Sequence, residues 1–367
     1  MKPTTSASVG RVAVAALPHM GGELARCEID LSDNTNLWGA PPAAVRALHD
    51  ASADALSRYP SLYSEPLRAA LLSYVGMQDV TGITAVTGCG SDDVLDSTMR
   101  AFGTPGDRIA FSSPTFSMIP VLARLNGLEA VPVPLTASFD LDVERLLSVR
   151  ADITYICAPN NPTATKVSRA AVEHVVEHAA GVVLIDEAYA EFASDVFVDL
   201  VRRSDRVIIA RTFSKAFGMA GLRVGYGIAT LETARLIERA RGPYKVGRLA
   251  EQAVLAALES TPGGLPWVRR HAALAVENRE RVSAALAAMN LNVLPSAANF
   301  LMVADSRASV LASELRSRDV GVRWFGGLPT AIPAFAHSQG VALRIGVGPW
   351  ESMQRLLDAF AEVLQCV

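Results

Sequence analysis

Short, unbroken apolar runs alternate with amphipathic stretches along most of this chain. Ile83-Thr84-Ala85-Val86-Thr87, Arg108-Ile109-Ala110-Phe111, Ile153-Thr154-Tyr155-Ile156-Cys157, Val182-Val183-Leu184-Ile185 and Val207-Ile208-Ile209-Ala210 read as strands. Helical periodicity falls between them, over about 91–102, 118–126 and 168–179. Strands that are apolar on both faces and spaced by helices predict an α/β fold whose parallel sheet is covered on both sides. A longer helical region follows at 231–258, interrupted at Gly242-Pro243, and Thr261-Pro262-Gly263-Gly264 is the strongest breaker cluster in the chain. The pattern then restarts as a smaller α/β unit: helix 267–289, strand 299–303, helix 309–318, strand 343–347, helix 350–364. We therefore expect an N-terminal arm over 1–39 that packs with the small domain, a large domain over 40–255, and a small C-terminal domain over 256–367.

Composition narrows the class. With 367 residues, half of them apolar and 19% charged, the chain can bury two cores without disulfide or metal staples. A net charge of −3 argues against a generally basic, nucleic-acid-binding surface. Cys27, Cys89, Cys157 and Cys366 are far apart in sequence and give neither a disulfide framework nor a clustered zinc site, so a reducing cytoplasm is the expected home. The N-terminal apolar run Val12–Leu17 is too short for a secretory core or a membrane span, and no membrane partner is expected. Only four lysines occur: Lys2, Lys166, Lys215 and Lys245. Chemistry that needs a side-chain amine has four candidates.

Ligands of open α/β sheets bind beyond the carboxyl ends of the strands. After the first strand comes Gly88-Cys89-Gly90-Ser91-Asp92, where glycines let the backbone approach a ligand, Ser91 is expected to cap the next helix, and the helix N-terminus offers N–H groups to a phosphate. The final glycine of a dinucleotide fingerprint and the Lys-Ser/Thr of a P-loop are both missing. After the third strand, Ala158-Pro159-Asn160-Asn161-Pro162-Thr163 is a rigid turn that aims amides into the cleft. After the fourth, Asp186-Glu187-Ala188-Tyr189 puts a carboxylate at a buried strand end, where it needs a partner such as a protonated ring nitrogen. After the fifth, Lys215 lies among small and apolar residues, a setting that lowers an amine's pKa and makes it nucleophilic. Thr212 and Ser214 add hydroxyls, and Arg223 adds a planar cation for a phosphate. Each feature alone has a plain structural explanation. Together they match one cofactor, pyridoxal 5′-phosphate, whose aldehyde bonds to lysine and whose ring withdraws electrons.

The motif TFSKAFGMAGLRVG at 212–225, with SRYP at 57–60, TGCGSDD at 87–93, SPTF at 113–116, APNNPT at 158–163 and DEAYAEF at 186–192, resembles the class I/II, fold-type I aminotransferases, and most nearly the histidinol-phosphate aminotransferase family. The resemblance runs from Asp33-Asn34-Thr35-Asn36 to Leu343-Arg344-Ile345-Gly346-Val347-Gly348. It implies a mostly parallel sheet of the seven-stranded type and a homodimer with shared active sites. Lys215 becomes the lysine that binds the cofactor covalently and shuttles the substrate proton, and Asp186 the partner of the ring nitrogen. Tyr189 and Asn161 reach the ring's phenolic oxygen, and Phe116 stacks on the ring. Ser91, Asp92, Thr212, Ser214 and Arg223 hold the phosphate, joined by Tyr59 from the neighbouring subunit. Arg344 and Arg323 grip the acidic group of the substrate. The implied reaction moves an amino group from an amino acid or a histidinol-phosphate-like donor to a 2-oxo acid such as 2-oxoglutarate. A decarboxylase or lyase acting on a phosphorylated amino acid, and an aromatic amino acid aminotransferase, stay open.

The family's Asn-Pro-Tyr is Asn36-Leu37-Trp38 here, and the glycine after Asn-Pro-Thr is Ala164. Asn36 and Trp38 are therefore expected on the substrate side. His174-Val175-Val176-Glu177-His178 fits an inverted zinc-protease pattern, but a solvated helix with an ion pair is the plainer reading, and no metal is expected.

Overall fold

The computed structural model describes residues 27–366. The first twenty-six residues of the expected arm, with Lys2 and the run at 12–17, lie outside the described residues. The first described strand, β1 (Ile29–Asp30), belongs to the smaller body. The apolar runs form the interior of a seven-stranded sheet: β2 (Ile83–Cys89), β3 (Arg108–Ser113), β4 (Glu129–Pro134), β5 (Ile153–Cys157), β6 (Val182–Asp186), β7 (Val207–Thr212) and β8 (Val224–Thr230), in the order β2-β8-β7-β6-β5-β3-β4. Every residue of β5, β6 and β7 is buried, in keeping with their largely apolar sequences, and the polar Asp186, Arg211 and Thr212 fall at the strand ends.

All strands run parallel except β8, which is antiparallel to both β2 and β7. The reversal matters for the site, because it brings the start of β8, and Arg223 just before it, to the edge where the other strands end. Gly225 and Gly227 conceal β8 from a propensity reading. The glycine at 225 is obligatory, since a β-carbon there would fall 2.1 Å from the Ser91 amide nitrogen. Strand β4 was also missed by periodicity. Its two prolines mark an edge strand, which is its place in the order.

The smaller body carries a three-stranded antiparallel sheet, with β9 (Phe300–Val303), β11 (Arg323–Phe325) and β12 (Ala342–Gly346) in the order β11-β12-β9. Strand β10 (Val320–Gly321) pairs in parallel with β1, so described arm residues lie on the small sheet's side of the molecule. Alternation along β9 divides two cores. Phe300 and Met302 face the large one, and Leu301 and Val303 face the small one.

The helix Leu265–Ala288 joins them. Its buried positions 265, 268, 272, 275, 278, 279, 282 and 286 follow helical spacing along one stripe. Leu265, Val268, Ala272 and Ala275 enter the large core, while Val282 and Leu286 enter the small one.

Candidate active site

A cavity of about 430 Å³ opens between the carboxyl edge of the large sheet, residues 33–35 of the arm, and β11–β12 of the small sheet. Ser91, Asp92, Phe116, Asn161, Asp186, Tyr189, Thr212, Ser214, Lys215, Arg223, Arg323 and Arg344 all line it. Tyr59, Asn36 and Trp38 do not. Tyr59 is 82% exposed and stacks on Tyr244 at 5.1 Å between ring centroids. Asn36 instead ties the arm to the lysine loop, its Nδ2 donating to the Ala216 carbonyl at 2.8 Å. Trp38 meets His271 edge-on at 5.9 Å, against the long helix. The arm thus turns residues 33–35 inward and residues 36–38 outward.

At the floor, Asp186 ends β6 with both oxygens occupied: the Tyr155 hydroxyl donates to Oδ2 at 2.8 Å and the Ala188 amide to Oδ1 at 3.1 Å. Burial pushes its pKa up to about 6, because these two neutral donors do not replace lost hydration. It is a carboxylate short of a cation. Lys215 has the complementary property. Its Nζ donates to the Asp33 carbonyl at 3.4 Å, and burial, helped by the nearby Arg344 charge, lowers its pKa to about 8. Lys166 and Lys245, by contrast, are ion-paired with Asp195 and Asp93. Of the three described lysines, only Lys215 combines a cavity position with no carboxylate partner.

The phosphate end is built by the turn from β2 into the helix Ser91–Phe102. Contrary to expectation, Ser91 does not cap this helix. Gly90 is the cap residue, at φ 78°, and Ser91 is already inside the first turn. The left-handed φ of Gly90 suits glycine, and its open side leaves room for the Arg223 guanidinium, which a β-carbon there would approach to 2.5 Å. The first amides of the helix are left open toward the cavity. Arg223, itself left-handed at φ 51°, is held by Asp92 at 3.1 Å. The Thr212 hydroxyl donates to Ser214 Oγ at 3.0 Å and accepts from the Ser214 amide.

On the opposite wall, Arg344 is 5% exposed. Its Nη1 donates to Asn161 Oδ1 at 2.9 Å and its Nη2 to the Ser32 carbonyl at 2.6 Å. Its Nε is buried with no partner, it makes no ion pair among the described residues, and burial lowers its pKa to about 10. Arg323 lies directly across from it in the β11–β12 register. Tyr189, its phenol pushed up by burial, accepts a hydrogen bond from Asn34 Nδ2 at 3.1 Å.

Sequence reasoning missed Asp33, Asn34, Thr115, Cys157 and Phe325 of the lining, and Tyr155 beneath Asp186. Asn34 lies in the same short motif as Asn36. Phe325 belongs to a three-residue strand that gives no periodic signal.

Among the described residues no group of three or more His, Cys, Asp or Glu is placed to hold a metal ion. His174 and His178 instead stack on each other at 4.3 Å. No described helix is long and apolar enough to cross a membrane.

The residues fit pyridoxal 5′-phosphate: a cation-seeking carboxylate, a readily deprotonated amine, and a glycine turn opening on helix amides beside Arg223 all face one cavity. The fold and site define a pyridoxal-phosphate enzyme of the aminotransferase type. Residues 27–360 match the family Aminotransferase class I and II, and the chain belongs to it. It is an aminotransferase, an enzyme that uses this cofactor to move an amino group from an amino donor to a 2-oxo acid. It is 37% identical to a histidinol-phosphate aminotransferase of Roseiflexus castenholzii, over 91% of this chain and 89% of that one. With the protein of the same name from Methanosarcina mazei the identity is 35%, over 90% and 87%. The crystal structure of histidinol-phosphate aminotransferase from Sinorhizobium meliloti in complex with pyridoxal-5′-phosphate superposes with a TM-score of 0.82 at 25% identity, covering 93% of this chain and 92% of that one. A Thermus thermophilus aspartate aminotransferase mutant, at 21% identity and TM-score 0.80 over 99% and 100% of the two chains, shares the fold.

Proposed function

We propose that this enzyme takes the amino group of a donor bearing a phosphate or carboxylate, histidinol phosphate foremost, and passes it to a 2-oxo acid such as 2-oxoglutarate. The observation that carries the reading is Arg344: a buried guanidinium with an open Nε and no carboxylate, across from Arg323 and beside Lys215. A cation held this way favours an anionic ligand. The two relatives named histidinol-phosphate aminotransferase support the choice of donor.

Bound pyridoxal 5′-phosphate supplies an aldehyde for covalent attachment and a ring that draws electrons from the substrate's α-carbon. Asp186 would hold a negative charge toward the ring nitrogen and favour its protonated form. Tyr189 and Asn161 would hold the ring through its phenolic oxygen, and Phe116 would pack against it. Ser91 and Asp92 amides, the Thr212 and Ser214 hydroxyls and Arg223 would hold the phosphate. Lys215 Nζ, whose pKa burial lowers to about 8 in the cofactor-free chain, would be the base that takes the substrate's α-proton and gives it back. Arg344 and Arg323 bind the acidic tail. The exposed Tyr59 fits a role at the neighbouring subunit's phosphate, in a cytoplasmic homodimer with shared sites.

Titrating the cofactor-loaded protein with histidinol phosphate, aromatic amino acids, glutamate and phosphothreonine, while following its visible band, tests this. Histidinol phosphate and glutamate should each discharge the band and yield a keto product. Carbon dioxide release from phosphothreonine, with no keto product from any donor, overturns the reading.

A further inference from the structure

Three carboxylates line the cavity: Asp33, Asp92 and Asp186. Two are committed. Asp92 binds Arg223, and both oxygens of Asp186 accept hydrogen bonds beneath the ring-nitrogen position. Asp33 differs. Its Oδ1 closes a tight turn, accepting from the Thr35 amide at 3.0 Å and the Thr35 hydroxyl at 2.7 Å. Its Oδ2 has no hydrogen-bond partner among the described residues. The turn fixes the carboxyl group, so Oδ2 is a preset acceptor. Its backbone carbonyl simultaneously accepts from Lys215 Nζ at 3.4 Å, and Asp33, exposed at the cavity mouth, lines the same cavity as that amine. Its charge is felt at both Lys215 and Arg344, the two ends between which a substrate must lie.

We propose that Asp33 is a specificity-determining residue, whose Oδ2 accepts a hydrogen bond from a donor group, an imidazole N–H, on the substrate held between Lys215 and Arg344. The inference rests on the reading of the enzyme as a histidinol-phosphate aminotransferase. The amine of such a substrate is taken up beside Lys215 and its phosphate by Arg344, which leaves the ring as the part still to be recognised. An acceptor fixed in the cavity penalises a ring that brings no donor, because the carboxylate would then lose water without replacement. Asp33 is thereby the counterpart of Arg344: one reads the anionic tail and the other reads the ring.

The test compares two donors that share amine and phosphate and differ only in the ring, histidinol phosphate and phenylalaninol phosphate. The unaltered holoenzyme should favour histidinol phosphate in kcat/KM. In Asp33→Asn, which keeps the Oδ1 turn but points an amide at the ring, that preference should fall about 10- to 100-fold. The loss should be carried mainly by KM for histidinol phosphate. Asp33→Ser provides a second variant that retains a turn-forming oxygen, with the visible cofactor band as the check that each protein is folded and loaded. Equal loss with both donors would mean that Asp33 acts only through Lys215 or the arm, and no change would mean that it faces solvent. Either result overturns the proposal while leaving the function standing. An unaltered enzyme that turns over neither phosphate ester overturns both.

Discussion

The two walls of the cavity are built on opposite plans. The floor comes from the carboxyl ends of β2, β5, β6 and β7, joined by Arg223 just before the reversed β8, so its groups sit at the ends of sheet strands. The substrate wall is assembled from pieces far apart in sequence: residues 33–35, the three-residue β11, and Arg344 in β12. The floor is also nearly closed as a hydrogen-bonding system, with Asp186, Thr212, Ser214 and Arg223 all partnered. The substrate wall is not, since the buried Arg344 Nε and Asn34 Oδ1 have no partner, and Asp33 Oδ2 has none among the described residues. A cofactor that stays can be held by a finished frame. A substrate that comes and goes must meet groups left open for it.

The largest expected effect breaks the floor. Lys215→Ala should lower turnover on the order of 10⁴-fold or more and abolish the cofactor's covalent visible band, since no other described amine faces the cavity. Steady-state kinetics and absorbance check both. Breaking the substrate wall should act differently. Arg344→Lys keeps a charge but loses the planar fork, so KM for the anionic donor should rise about 10- to 100-fold, more than kcat falls.

Asp186 sharpens the contrast through pH. Its folded pKa, about 6, lies above that of an exposed aspartate, so the cofactor-free native state binds more protons than the unfolded state between roughly pH 4 and 6. Its contribution to stability is therefore fully present at low pH and is lost as pH rises through about 6, by a total of about 3 kcal/mol. Denaturant unfolding of the cofactor-free protein at pH 4.5 and pH 7.5 should show about 2 kcal/mol of this loss in the unaltered chain and not in Asp186→Asn. Cofactor binding, by placing a cation there, should shrink it. The smallest effect concerns Ala164, buried at φ 65° where the related motif has glycine. Ala164→Gly should stabilise by about 0.5–1 kcal/mol, because relief of left-handed strain outweighs the added chain entropy. Thermal and chemical unfolding would measure it.

The same contrast explains what could be read without coordinates. Strands β5, β6 and β7 and their terminal residues were legible because full burial imposes a continuous apolar run followed at once by a functional residue. Strand β8 was hidden by Gly225, which lets the chain pass Ser91, and by Gly227, where a β-carbon would press on Val94. Strands β10 and β11, of two and three residues, are too short to carry a period. The arm misled in a particular way. Asn34 and Asn36 belong to one motif, yet only Asn34 faces the cavity, because Asn36 is spent on the Ala216 carbonyl. Trp38, read as a substrate-side residue from its departure from the family pattern, packs on His271 instead.

The central claim is that the cofactor is carried by Lys215 at the end of β7. Borohydride reduction of the loaded protein, tryptic digestion and mass spectrometry test it directly, since the chain offers only four lysines. The account predicts the cofactor mass on Lys215, in the peptide spanning 212–223. Labelling of Lys2, Lys166 or Lys245 in its place, or no stable adduct, would contradict it.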